Sequence, residues 1–368
     1  MVLSYDVGSL PLRVGESVIR EGAKRSQTLL PLVGTPGEAT DIFEDEVVKG
    51  FIDKLDAGID IPNFPQFRDM NGMYFDLIRG IEEESGGYST HGIPSARSGA
   101  SVPEVDVIKR NISKIIDLTG VNRVRLKICV TGPYTLASFF HLKNPTLFED
   151  LGEALAGILS RSIFSSRRGA VAMVCLDEPV LGFLNDPLLD YGSEGREAMI
   201  KSWDHILGVA ASKGVETSMH LHDTSDDLFW EVEHLDLVES HVDDPLYTLE
   251  KTERRLDETD KRLKASISIT LFDTLIEARL KAQGFQGEIQ QGIGDTWTDI
   301  RHNRVDPLTF VEEADLMVKR LQQIVERFGS ERVPYAGPEC GMGGWPRYGD
   351  AIEGLRRVSE AVQQFSIG

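Results

Sequence analysis

Arg125-Leu126-Lys127-Ile128-Cys129-Val130 runs into Thr131-Gly132-Pro133-Tyr134-Thr135, and then into apolar positions Phe148, Leu151, Leu155, Ile158 and Leu159, spaced three or four apart. The first six residues read as a β-strand, the Gly-Pro step as a turn and the last set as one face of an amphipathic helix. Working outward, β-rich runs recur at residues 3–7, 59–64, 125–130, 172–176, 216–220, Leu237–Glu239, 288–293 and 332–336, with a ninth, ambiguous run at 264–269. Helical spacing returns between them, as in Ile352, Leu355, Val358 and Val362. Eight strands each followed by a helix predict an α/β protein of the (β/α)8 TIM-barrel class, with a doubly wound open sheet as the alternative. Two polar connections, at 34–40 and 84–101, are longer than a barrel needs and read as lids or interface loops.

The composition sets the outer limits. At roughly 150 residues per domain, 368 residues allow two domains, but a barrel with loop insertions accommodates them as one, and a single domain over 1–368 is expected. Apolar residues make up 41% and charged residues 27%, enough apolar surface for a large core and too much for a disordered chain. Lys and Arg number 39 against 59 Asp and Glu, a formal net charge of −20. That balance argues against nucleic acid or an anionic membrane as partner, because both need clustered cations. No run approaches the roughly 20 apolar residues that span a bilayer, and a cytoplasmic protein is expected. Cys129, Cys175 and Cys340 are too few and too widely spaced for a disulfide framework. Cys129 and Cys175 fall inside strand runs and read as core.

In a barrel the carboxyl ends of the strands share one rim, where active sites of this fold sit. The 216–220 run ends in His220-Leu221-His222-Asp223, the next in Glu239-Ser240-His241, and the last in Glu339-Cys340-Gly341. An H-x-H pair on a strand puts two imidazoles on one side of the pleat, and a carboxylate and a thiolate from neighbouring strands would complete a tetrahedral site. His220, His222, Glu239 and Cys340 are the ligand set this predicts, with Zn²⁺ as occupant. Without the thiolate, two histidines and a carboxylate would suit Fe(II) equally well, so Cys340 decides between metals. Each part also has a plain structural reading: paired histidines as a polar rim, the cysteine as small packing beside glycines, Glu239 as a strand terminus. Gly8-Ser9 and Asp177-Glu178-Pro179 close two further runs, and one acid of the adjacent pair is expected to face the rim and bind substrate.

Taken in order, Gly8-Ser9, Thr131-Gly132-Pro133, Asp177-Glu178-Pro179, His220-Leu221-His222, Glu239, Asp299-Ile300 and Glu339-Cys340-Gly341 resemble the catalytic domain of cobalamin-independent methionine synthase, in its short archaeal core form. The resemblance spans nearly the whole chain, and it extends to the uroporphyrinogen decarboxylase-like barrels, which include methylcobamide:coenzyme M methyltransferases. It implies a zinc-dependent methyltransferase that holds homocysteine or a related thiol as thiolate, for S-methylation from a methyl-corrinoid or a methyl-pterin or folate donor. Ser9, Asp177 and Glu178 would orient the substrate, and Glu239 would yield its place on the metal to the incoming sulfur.

Departures from the family pattern fall at three places. His222 stands where the family has a cysteine, which makes the four-ligand zinc site neutral rather than −1. Gln66 stands where the family has a glutamate that clamps an ammonium, and Arg68 follows two residues later. The family's Asp-Ile-His reads Asp299-Ile300-Arg301-His302, which loses the histidine proton donor or shifts it to His302. At the rim, Arg68 and Arg301 would favour an anionic thiol or donor. Trp230, Trp297 and Trp345 lie near strand ends and read either as stacking faces for a pterin or folate or as loop packing, whereas a corrinoid protein would land on the long loops. The rival readings are a metal-free decarboxylase-type lyase and a non-catalytic corrinoid- or metal-binding accessory protein.

Overall fold

In the computed structural model, residues 1–28, 37–183 and 185–367 are described. Among the described residues nine strands form: β1 Leu3–Ser4, β2 Ile78–Glu84, β3 Gly87–Ala96, β4 Val124–Thr131, β5 Gly169–Glu178, β6 Glu216–Leu221, β7 Leu237–Glu239, β8 Arg262–Ser268 and β9 Tyr335–Pro338. Seven of them make one curled parallel sheet in the order β1-β9-β8-β7-β6-β5-β4. Its open side is lined by the 59–66 stretch, which forms isolated parallel bridges Tyr5–Ile61 and Ser9–Gln66 on one flank and Asn63–Lys127 on the other. Among the described residues this stretch, expected as a strand, has no regular ladder of its own.

Helices connect the parallel strands, as parallel pairing requires. The unit read first is representative. Asn144 caps helix Pro145–Ser162 by accepting from the Leu147 amide at 2.9 Å, and Pro145 occupies the first helical turn. The helix buries Leu147, Phe148, Leu151, Leu155, Ile158 and Leu159 in the main apolar core. A smaller cluster of Tyr5, Val7, Ile61, Met173, Leu237 and Tyr335 fills the concave side of the sheet.

Three expectations need correction. Residues 288–293, read as a strand, belong to helix Ile289–Arg301. Ile289, Ile293, Trp297 and Ile300 all pack against the core, and that spacing of four, four and three is helical. The ambiguous run at 264–269 supplies the missing strand as β8. Its Leu263, Ala265 and Ile267 enter the main core, while Lys264 and Ser266 are buried on the opposite face, a polar interior that hid the strand's alternation. The 84–101 connection is not a lid loop, since most of it is the second strand of the β2–β3 antiparallel hairpin. Of the 34–40 connection, residues 34–36 lie outside the described residues, and helix Glu38–Asp56 begins just beyond.

Candidate metal centre

Strand register places the functional side chains. Asp177 of β5 pairs with His220 of β6, and His220 pairs with Glu239 of β7, so the three form one row across the carboxyl ends of neighbouring strands. Two residues further along the chain, His222 and His241 stand on the same side, one layer nearer the mouth. Their rings are 4.1 Å apart between centroids, and His220 lies 5.2 Å from His222 and 6.0 Å from His241. Cys340, just after β9, brings Sγ to 3.8 Å from His222 Nε2. One ligand atom from each of His220, His222, His241 and Cys340 falls within 4.8 Å of all the others.

The arrangement fits a tetrahedral zinc ion. Bonds of about 2.0 Å to nitrogen and 2.3 Å to sulfur imply ligand-to-ligand edges of roughly 3.3–3.6 Å, so the cluster needs only a small contraction. His220 Nε2 and His241 Nε2 are buried without a hydrogen-bond partner, as expected of atoms whose partner is a metal. Burial alone would push the Cys340 thiol up, but His220 and His222 outweigh it and bring it down to about 6. Burial and the neighbouring histidine lower His222, and burial lowers His241, which leaves both as neutral imidazoles suited to ligation.

Glu239, expected as the fourth ligand, lies behind this cluster. Its Oε1 is 2.7 Å from Lys264 Nζ and 3.3 Å from His220 Nδ1. Lys264 and His220 hold the carboxyl well below its usual range against the effect of burial. His241, absent from the expected set, takes the position at the cluster. The signal was present in the sequence: Glu239-x-His241 repeats the alternation of His220-x-His222 on the next strand.

The other expected residues divide between the site and the scaffold. Asp177 is buried with Oδ1 unpartnered, and burial raises its carboxyl above the usual range despite His220 and Lys127. Glu178 turns away from the rim. It accepts from the Tyr134 amide at 3.0 Å, the Thr135 amide at 2.7 Å, the Thr135 hydroxyl at 2.6 Å and Trp203 Nε1 at 2.7 Å, so it anchors helices rather than substrate. Gly132 is obligatory beside it, since a Cβ there would meet Glu178 Oε1 at 2.1 Å. Glu178→Gln would turn an amide NH2 toward donors and is expected to cost about 1–3 kcal/mol in urea unfolding; an unchanged midpoint would refute this anchoring role.

Arg68 does not present a free cation at the rim, because its guanidinium is buried in a bidentate pair with Glu104, 2.8 Å on each arm. Arg301 and His302 are exposed at the end of helix Ile289–Arg301, where His302 Nδ1 lies 2.7 Å from the Thr298 carbonyl. Neither belongs to the metal cluster. Ser9 Oγ accepts from the Gly343 amide at 3.1 Å and packs against the turn that carries Cys340. Gln66 is buried, with Nε2 3.5 Å from Met73 Sδ. Cys129 and Cys175 are buried and unpaired, as read.

A cavity of about 710 Å³ opens onto His222, His241 and Cys340, walled by Phe183, Phe272 and Trp297. Trp297 packs against Phe272 at 5.3 Å and donates Nε1–H to Asp273 at 2.6 Å. Trp345 and Trp230 are buried in packing, with Trp345 Nε1 donating to the Thr270 carbonyl at 2.7 Å. Of the three tryptophans, Trp297 is the one that lines this cavity.

No family model matches the chain. Over 337 residues, covering 88% of this chain and 86% of the relative, it is 23% identical to a methionine synthase of Saccharolobus solfataricus. A B12-independent methionine synthase from Shewanella, solved in complex with selenomethionine, superposes with a TM-score of 0.61 at 13% identity, covering 100% of this chain and 99% of that one. A methyltransferase from Methanosarcina mazei superposes with a TM-score of 0.51 at 15% identity, covering 98% and 94%. The two superpositions bear on the fold. With the curated relative, they support the resemblance read from the strand ends along nearly the whole chain. Among the described residues no helix is long and apolar enough to cross a membrane.

Proposed function

We infer that this chain is a methyltransferase of the methionine synthase type, which methylates the sulfur of homocysteine or a closely related thiol at a zinc centre. The observation that carries the reading is the convergence of His220, His222 and Cys340, together with His241, on the mouth of one cavity. Zinc bound there would hold the substrate sulfur as thiolate near neutral pH, where a free thiol with a pKa of about 8.5 is mostly protonated.

The chain's own residues bind, orient and shield. Phe183, Phe272 and Trp297 keep water from the reacting sulfur and give a flat donor ring a face to stack on. Asp177, with an unpartnered oxygen one strand away from His220, is suited to accept from an ammonium group, as an amino-acid thiol would present. Arg68 is withdrawn by Glu104, which removes one argument for an anionic thiol and favours homocysteine. The donor is a methyl-corrinoid or a methyl-pterin or folate. The same reading takes the 59–66 stretch as the eighth stave of a closed (β/α)8 barrel forming one domain, and three free thiols fit a cytoplasmic setting.

The test is metal analysis of the purified protein, followed by transfer assays with methylcobalamin or methyl-folate against homocysteine and coenzyme M, read by mass spectrometry. Zinc near one equivalent per chain and S-methylation of homocysteine are expected. A zinc-free protein that methylates no thiol in any pairing would overturn the reading in favour of a metal-free lyase.

A further inference from the structure

We propose that His241, and not Glu239, is the fourth protein ligand of the metal centre, and that Lys264 enforces this choice by holding the Glu239 carboxylate one layer deeper in the sheet. The proposal rests on the metal-centre reading above and specifies which side chains of this chain build it.

Glu239 is committed through one oxygen, Oε1, while Oε2 is buried without a partner and, with the carboxylate where it stands, lies outside the group of four convergent ligand atoms. Its Oε1 faces the Lys264 ammonium at 2.7 Å, and both side chains are fully buried. Cys175 Sγ, 3.6 Å from the same oxygen, and the Tyr5 ring, whose face lies 4.0 Å from Lys264 Nζ, complete the surroundings. Lifting the whole carboxylate one layer to join the cluster would take Oε1 off Lys264 and leave a buried ammonium without its counter-charge in a place water does not reach, which is strongly unfavourable. Where it stands, Glu239 faces His220 Nδ1 at 3.3 Å. A carboxylate on one imidazole nitrogen fixes the ring and its tautomer and leaves the other nitrogen for the metal. Glu239 and Lys264 are therefore positioning residues.

His241 has the opposite character. It is placed one strand repeat nearer the mouth, its Nε2 is buried without a partner, and its ring lies beside His222. It belongs to the group of four whose ligand atoms converge within 4.8 Å, and Glu239 does not. The change alters the charge of the centre. Three neutral imidazoles and one thiolate around Zn²⁺ sum to +1, where a Glu239 ligand in place of His241 would give zero. A substrate thiolate entering such a centre as a further ligand would meet a net positive charge and neutralise it. Such a centre binds thiolate more firmly than an anionic one, at some cost in nucleophilicity.

The test uses the full chain, stripped with a chelator and reloaded with Zn²⁺ or Co²⁺, and reads affinity by chelator competition and ligand type by absorption spectroscopy. Wild type is expected to give a tetrahedral Co²⁺ spectrum with one thiolate charge-transfer band. His241→Ala should weaken Zn²⁺ binding by more than about 100-fold and change that spectrum. Glu239→Gln should keep the spectrum and lose roughly 10- to 100-fold in affinity, the effect of removing an outer partner. His241→Cys guards against a mere folding defect, since it should restore tight binding and add a second thiolate band. Unchanged binding and spectrum in His241→Ala, no added band in His241→Cys, or loss of the tetrahedral spectrum in Glu239→Gln would each overturn the proposal. A wild-type protein that takes up neither metal would instead bring down the metal-centre reading itself.

Discussion

Cys340→Ser is expected to remove the metal and thiol methylation together, while the protein stays folded. The turn that carries Cys340 is held by its neighbours. Glu339 accepts from the Val242 amide at 3.0 Å and the Thr270 amide at 2.9 Å, which ties the segments after β7, β8 and β9 to one carboxylate. Gly341 lies so close to Ser9 that a Cβ there would meet Ser9 Oγ at 2.0 Å. None of these contacts involves the thiol, so a serine at 340 inherits the geometry. What it lacks is the anion. The Cys340 thiol is brought down to about 6 by His220 and His222, whereas a serine hydroxyl stays protonated across the neutral range. The centre would lose its one anionic protein ligand, and the effect should exceed the roughly 10- to 100-fold cost of losing an outer partner. Metal content measured alongside turnover, with circular dichroism as a control for folding, checks this. A Cys340→Ser protein with stoichiometric zinc and full turnover would mean that the thiol is packing.

The same geometry explains what the sequence made legible. β4 and β5 were readable because their outward faces are apolar, with Leu126, Ile128 and Val130 of β4 and Val171, Val174 and Leu176 of β5 all in the main core. β8 was ambiguous because its inward face carries Lys264 and Ser266, residues that signal solvent in an ordinary strand. The 288–293 run misled because six residues are too few to separate a period of two from a period of four, and its continuation to Trp297 and Ile300 decides the matter. At the site, the strand-end motifs announced which side chains approach the mouth but not their depth. Glu239 and His241 are both metal ligands by type. Choosing between them requires knowing that a lysine on the next strand, β8, is buried 2.7 Å from the carboxylate. Arg68 was misjudged for the same reason, since its partner Glu104 is 36 residues away.

These pairs point to an interior that is not apolar. Lys54, Lys127 and Lys264 are all fully buried in a chain whose net charge is −20. Lys264 answers Glu239. Lys127 donates to the Asp6 carbonyl at 2.9 Å, and its ammonium is stabilised against burial by Cys175, Glu239 and Asp177. The acidic row beneath the metal cluster is thus balanced from below by lysines, while of the cations that the sequence suggested for the rim Arg68 sits in the scaffold and Arg301 on an exposed helix end. That arrangement leaves the cluster itself to set the charge felt by a substrate.

The largest stability effect is expected at the third lysine. Lys54 reaches from helix Glu38–Asp56 to Asp6 Oδ2 at 2.6 Å, the Gly8 carbonyl at 2.8 Å and the Asn63 carbonyl at 3.2 Å. Asp6 Oδ1 in turn accepts from the Asn63 amide at 2.7 Å. The pair therefore fastens the end of β1 to the 59–66 stretch, at the side where the seven-stranded sheet has no regular ladder. Burial lowers the Lys54 ammonium, and Asp6 opposes that shift. Lys54→Met would keep most of the packing volume but leave the Asp6 carboxylate buried without a counter-charge, a loss of about 3–5 kcal/mol. For a chain of this length that corresponds to a fall in Tm of roughly 4–6 °C. Asp6→Asn combined with Lys54→Met removes both charges and should recover part of the loss, because a buried pair replaced as a unit is far less costly than one broken by half. Thermal unfolding of the two variants beside wild type separates the cases. If the double variant is no more stable than Lys54→Met, the lysine contributes through the Gly8 and Asn63 carbonyls and not through its charge. If Lys54→Met costs under about 1 kcal/mol, water reaches Asp6, and the fastening of β1 to the 59–66 stretch rests on the backbone bridges alone.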